Sequence, residues 1–147
     1  MDRLPAFLRV FILPMLVALS LSGSPRAEEQ APSPEAWQAA ITSQIIAFRE
    51  RDADAAFGYA AAPFHKTFSD SRHFFFAIIG SGYTPIMTSV SHSFGAYRVL
   101  DDGSVGQIVH LVDSDQSLYD AVYALSLEDG AWRVDGVQLI KTPGIGI

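Results

Sequence analysis

Four histidines and sixteen carboxylates hold most of the polar chemistry open to this 147-residue chain, which has no cysteine. His65 and His73 stand eight residues apart, across an expected break between helices. His92 and His110 fall on segments that read as consecutive strands and could be neighbours on that first strand pair. A divalent metal needs three or four converging ligands, and no such spacing exists here. Solvated or singly hydrogen-bonded histidines are therefore expected, with no metal and no cofactor. A dehydratase-type proton transfer would use a His–Asp pair. His110 with Asp120, on adjacent expected strands, is the best version available and supplies the only catalytic candidates.

Three further patterns read as structure. Asp113-x-Asp115-x-Ser117 resembles the start of a calcium loop, but Leu118 stands where glycine is needed and Ala124 where glutamate is needed. A polar hairpin turn accounts for it. Gly80-Ser-Gly82 is followed by no Lys-Ser/Thr and closes a helix rather than opening one, so it is expected as a C-cap and hinge. Serines are numerous, yet no G-x-S-x-G elbow is present. The balance is against an enzyme.

The elements that must position these residues divide into two halves. Residues 34–80 read as helical. Ser33-Pro34-Glu35 has the order of a helix start. Trp37, Ile41, Ile45 and Phe48 then recur on one helical stripe, and Arg49 and Arg51 suit the last turn. Asp52 or Asp54 caps a second, short helix that Pro63 is expected to terminate. A further helical turn holds Phe64 and Phe68. Ser69 is expected to cap a third helix from Asp70 to about Ile79. Its Phe74-Phe75-Phe76 run spans too wide an arc for all three rings to enter one core. Tyr83-Thr84-Pro85 redirects the chain. Turn signals at 101–103, 113–116 and 128–130 then separate four strands, approximately 88–99, 104–112, 117–127 and 131–140. The third alternates, with Tyr119, Ala121, Tyr123, Leu125 and Leu127 on one face. Trp132 and Arg133 fall on opposite faces of the last strand, with Arg133 beside Asp135 as a surface pair. Short connections imply an antiparallel meander, its apolar face covered by the first and third helices.

The N-terminus reads as a secretory signal. Arg3 and Arg9 precede the apolar run Val10–Leu21, and Ser22-Gly-Ser-Pro25 follows. The run is about twelve residues, shorter than the roughly twenty of a membrane span. Cleavage after Ser22 and cleavage after Ala27 both remain open, and an uncleaved anchor is the rival reading. The expected organisation is a signal peptide over 1–27, a linker over 28–33, and one domain over 34–147, periplasmic or secreted. Three of the ten basic and one of the sixteen acidic residues precede position 28, which leaves seven against fifteen and a charge of about −8. Such a surface disfavours nucleic acid. Ten Phe and five Tyr provide bulk for a real core.

Helices followed by a curved four-strand meander in this length resemble the nuclear-transport-factor-2-like, or cystatin-like, cone. More narrowly, Gln44-Ile-Ile-Ala-Phe-Arg49 with Asp52, Phe57, Phe68, Tyr83-Thr-Pro85, Phe94-Gly95 and Gln107 resembles a family of exported bacterial proteins. So does Asp129-Gly-Ala-Trp-Arg-Val134 with Gly136-Val-Gln-Leu139. That family is a domain of unknown function, and the resemblance covers residues about 38–144. It implies a fold and a compartment, and no reaction. Many members have cysteine after the glycine matching Gly136. Val137 stands there in this chain, so no thiol chemistry carries over. The same cone includes ketosteroid isomerases. Matching first helices places Gln44 where their tyrosine would be, and no acid stands in place of their base. The resulting expectation is an α+β cone that holds a small apolar or amphipathic ligand, or pairs with another protein. A lyase or isomerase is the alternative. Tyr83, Gln107 and Tyr123 are the pocket candidates, being amphipathic or neutral polar groups at inward positions. A homodimer through the outer face of the sheet is a further expectation, since such cones often dimerise.

Overall fold

Residues 32–143 are described by a computed structural model. The expected signal peptide and most of the expected linker lie outside the described residues. From Ser33 onward the chain is one compact unit.

Helix α1 (Pro34–Arg49) starts with proline in its first turn, where the missing N–H is no loss. Ser33 precedes it in extended conformation but does not cap it; its hydroxyl turns to the Glu35 carboxylate instead. The expected stripe is fully committed to the interior: Trp37, Ile41 and Ile45 are 0% exposed and Phe48 is buried. Each such side chain contributes about 1.5–3 kcal/mol through burial. The helix ends with Arg51 N–H donating to Phe48 O (3.1 Å) and Asp52 N–H to Ala47 O (2.8 Å). These are the two bonds of a Schellman motif.

Asp52 also caps α2 (Ala53–Gly58), its carboxylate accepting from Ala55 N at 3.0 Å. Pro63 does not terminate α2 as expected. It lies in the first turn of α3 (Ala62–Thr67), because proline is as well suited to opening a helix as to stopping one. Helix α4 (Ser71–Ile78) is capped by Asp70 rather than Ser69, with His73 N–H donating to Asp70 Oδ1 at 2.8 Å. This bond, the strongest of several influences, holds the exposed Asp70 carboxyl below its usual pKa. A wide turn over Ile79–Tyr83 follows, in which Gly82 adopts φ 97°. The chain then enters α5 (Thr84–Thr88), a helix hidden in the sequence behind Thr84-Pro85. Among the described residues no helix is long and apolar enough to cross a membrane.

Strands β1 (Ser89–Val99), β2 (Val105–Asp113), β3 (Leu118–Glu128) and β4 (Ala131–Lys141) form one antiparallel meander in the order β1-β2-β3-β4. The protein is thus α+β, with helices preceding a four-stranded sheet. The turns fall at the expected sites. Asp129 and Gly130, both at positive φ (49° and 80°), make the two-residue β3–β4 connection. The Asp113–Ser117 segment is the β2–β3 turn, where Asp115 Oδ1 accepts from Ser117 N at 2.9 Å. Bulges interrupt β1 at Ser89/Ser91 and Phe94/Tyr97 and β4 opposite Ala124/Leu125, which bends these strands.

The inner face carries Val105, Val109, Leu111, Ala121, Tyr123, Leu125 and Val134, all buried. Leu127 shares that parity but is 56% exposed, at the end of its strand. The helical cover differs from expectation in one respect. Helices α1 and α5 lie on the sheet, whereas α4 packs mainly on α2. The Phe74 ring accompanies this packing, sitting among the rings of Phe48, Phe57, Phe64 and Phe68. Phe75 is also buried, and Phe76 is left outside.

Candidate functional site

Between the helices and the bent strand β4 lies a cavity of about 270 Å³. Phe48, Phe64, Phe74, Ile86 and Val137 are among the side chains that make its walls predominantly apolar. Its polar points are Gln44 from α1 and Ser81 and Tyr83 from the wide turn. Among the described residues no charged side chain lines it. The Gly82 turn puts two of these groups in place, since φ 97° is open to glycine at little steric cost.

Their hydrogen bonds define what the cavity offers. Tyr83 donates its phenolic hydrogen to Val137 O at 2.8 Å and Ser81 donates its hydroxyl hydrogen to Ala77 O at 2.6 Å. Gln44 is 4% exposed, and its amide nitrogen donates to Ala56 O at 3.1 Å. The end that meets a carbonyl must be the NH₂ group, so the amide orientation is fixed. The Gln44 oxygen makes no hydrogen bond to the described residues. With both hydroxyl hydrogens already used, the cavity presents chiefly acceptors.

Of the three pocket candidates, only Tyr83 lines this cavity. Gln107 and Tyr123 lie on the inner face but in its packed part. Gln107 is 0% exposed and its amide is consumed by Trp37, Gln38 and the backbone of β1 and β2. Tyr123 is 1% exposed. Burial drives its phenol far above the usual pKa, with Arg49 opposing.

The catalytic candidates do meet. His110 and Asp120 are direct partners across β2 and β3, with Nδ1 to Oδ1 at 2.6 Å. Both side chains are about half exposed, on the outer face and away from the cavity. Gly95 leaves room for the imidazole, since a Cβ there would stand 2.7 Å from His110 Nε2 and the ring would have to shift. His92 is not the neighbour of His110. It pairs with Leu111 and points inward, while His110 pairs with Ser93. His65 packs on the Phe57 ring (4.0 Å between centroids), and His73 pairs with Asp70 at 2.9 Å. Among the described residues no three His, Cys, Asp or Glu side chains converge as metal ligands. Arg133 does not pair with Asp135. It donates to Gly58 O at 2.7 Å, where α2 passes β4. Trp132 lies against Trp37, 5.5 Å between centroids.

The sequence reading missed a second polar cluster. Arg49 donates to Ser89 Oγ through Nε (3.2 Å) and Nη2 (3.1 Å), and Nη2 also lies 3.2 Å from His92 Nδ1. A guanidinium has no acceptor, so His92 Nδ1 accepts and the imidazole proton sits on Nε2. That nitrogen then donates to Thr42 Oγ1 at 3.0 Å. Burial, and next the Arg49 charge, hold the His92 pKa below its ordinary value. Burial likewise lowers that of Arg49. The α1 members lie forty to fifty positions from the β1 members they bond, and no local pattern announces the cluster.

A pH effect follows from this cluster. The folded His92 binds its proton less readily than the unfolded one, whose pKa is about 6.5. Its contribution to stability is therefore complete above that value and is lost as pH falls towards and through the lower folded value. Urea midpoints measured from pH 7.5 to 5 should decline in wild type. The decline should be shallower in His92→Gln. Equal slopes would remove His92 as the cause.

Residues 30–147 match the family model described as Domain of unknown function (DUF4864), and the chain belongs to that family. Comparison with the curated proteins and with the solved structures finds no match.

Proposed function

We propose that this protein is an exported, non-catalytic binding domain of the nuclear-transport-factor-2-like cone type, and that its cavity holds a small uncharged ligand. One observation supports the reading: a buried glutamine, Gln44, lines an apolar cavity and its amide oxygen has no hydrogen-bond partner among the described residues. The walls select hydrocarbon or an aromatic ring. The spare acceptors select a ligand with a hydrogen-bond donor, such as a phenol or an alcohol. The described lining residues carry no charge, which selects against ions, whose desolvation would go uncompensated. A 150 Å³ apolar cavity holds benzene, so about 270 Å³ suits a ligand somewhat larger than one ring.

Native against denaturing mass spectrometry of the protein purified from its source tests this. Extra mass lost on denaturation is the expected result. Gln44→Leu should lower the affinity for a phenol by about fivefold or more, through loss of a hydrogen bond worth roughly 1 kcal/mol. A bare mass, with phenols that leave the melting temperature unchanged, would discard the ligand-binding reading.

A second reading has its own observation. The outer face of the sheet exposes Leu118 (46%), Val122 (37%) and Ile140 (51%) around the His110–Asp120 pair. Such a patch suits a self-pairing interface. The same native spectrum reads it as a dimer mass that Val122→Asp should halve.

A further inference from the structure

A groove of about 370 Å³ lies among the end of α1, the start of α2, and α4 and α5, separate from the cavity above. Phe75, Phe76, Ile79 and Met87 supply most of its apolar lining, and Arg51 and Arg72 are its only charged residues among the described ones. Phe76 is 60% exposed, the largest exposed aromatic surface among the described residues. The Arg72 guanidinium stands 5.7 Å from the centre of that ring. Neither arginine has a carboxylate partner among the described residues.

Two features argue that the arginines serve something other than the fold. The chain is acidic overall, with a formal charge of −6. Among the described residues that line the groove there are two cations and no acid, and neither Arg51 nor Arg72 is in an ion pair although Glu50, Asp52, Asp54 and Asp70 stand within three residues of them. The second feature is backbone geometry. Arg51 occupies the C′ position of the Schellman motif at φ 58°, in the left-handed region. Glycine fills that position without steric cost, and a residue with Cβ does so only under strain. An arginine there works against the helix end it terminates, while its side chain lines the groove.

We propose that this groove binds a small carboxylate amphiphile, an alkyl or aryl acid. Its hydrocarbon part would lie on Phe75, Phe76, Ile79 and Met87, and its carboxylate would be paired by Arg51 and Arg72. Charge complementarity selects the head group, and the size of the groove selects a single short chain or ring. The neutral cavity selects the opposite ligand, so the two sites are distinguished by charge.

Decanoate and decanol, titrated calorimetrically into the mature protein, test the proposal. Decanoate should bind, with affinity that falls as salt is raised. Arg51→Gln and Arg72→Gln should each weaken it about tenfold, the scale of one charge-assisted hydrogen bond. Decanol should be indifferent to both substitutions. Arg51→Gly supplies a readout that a structural role would not give: the melting temperature should rise by about 2–4 °C while decanoate affinity falls. Equal binding of decanoate and decanol, or decanoate affinity unchanged in the double variant, would overturn the proposal and direct the acid to the cavity. Adsorption to phosphatidylglycerol vesicles that needs both arginines, without any decanoate response, would overturn it in favour of a lipid surface. A lower melting temperature in Arg51→Gly would show that Arg51 belongs to the fold.

Discussion

Phe74→Ala should destabilise the protein by about 3–5 kcal/mol, while Phe76→Ala, two residues along the same helix, should change stability by no more than about 0.5 kcal/mol. The difference lies in where one helical turn points its rings. Phe74 is 2% exposed and Phe76 is 60% exposed. Phe74 meets Phe57, Phe64, Phe68 and Phe48 with ring centroids 5.0, 5.7, 5.8 and 6.2 Å away. Aromatic pairs at such spacings add about 0.5–1.5 kcal/mol each beyond area burial. Its removal undoes the cluster that joins α2, α3 and α4 to the end of α1. The same ring is also a wall of the cavity. Truncation should therefore enlarge an apolar space already present, and toluene at a hundredfold excess over its Kd should restore about 2.7 kcal/mol. Urea unfolding of the two variants, with and without toluene, measures this. A loss below about 1.5 kcal/mol for Phe74→Ala, or an equal loss for Phe76→Ala, would contradict the packing described.

How much of this was readable beforehand depends on the kind of pattern. The α1 stripe and the strand boundaries rest on local rules, helical spacing and turn chemistry, and the structure follows both closely. Prolines mark boundaries without resolving them. Pro63 and Pro85 each open a short helix, and a residue that can start or stop a helix signals a boundary without saying which side is helical. The cover of the sheet was misjudged because α4 satisfies its apolar residues against other helices. Nothing in its own spacing distinguishes a helical partner from a sheet.

The site was less legible than the fold. Strand parity gives the face of Gln107 and Tyr123, but not the depth of packing above them. The cavity lies between residues of α1, α3, α4, α5 and β4 that are far apart in the chain, so it is a property of their arrangement. In β1 even parity is unreliable, because two bulges each shift the register by one residue and so reverse which side chains face inward. That is why His92 enters the interior beside Arg49 while His110 stands outside. Gln44 is marked in the sequence only by the resemblance, which places it where the isomerases have a first-helix tyrosine. Its spare acceptor became apparent only when the Ala56 carbonyl was found to hold the other end of the amide.

Gln107→Leu should be the second severe substitution, at about 2–5 kcal/mol, although leucine is close to glutamine in size. The Gln107 oxygen accepts from Trp37 Nε1 at 2.9 Å and from Gln38 Nε2 at 3.2 Å. Its nitrogen donates to Gly95 O at 3.0 Å and Ile108 O at 2.8 Å. An indole N–H can only donate, which fixes the amide orientation. Leucine would leave the Trp37 N–H, itself 0% exposed, without a partner, and would abandon the Gly95 carbonyl at the β1 bulge. Each buried group left unpaired costs about 1–3 kcal/mol. The network thus ties α1 to the irregular part of the edge strand, and it explains a fully buried polar side chain in the middle of an apolar face. A double-mutant cycle isolates the bond. Trp37→Phe removes the orphaned donor, so the double variant should be at least about 1 kcal/mol more stable than the sum of the single losses predicts. Additivity within about 0.5 kcal/mol would mean that the Trp37–Gln107 bond contributes nothing of its own. In that case the loss in Gln107→Leu would have to come from the β1 bulge alone, and hydrogen exchange at the amides of residues 94–98 should then accelerate in Gln107→Leu but not in Trp37→Phe.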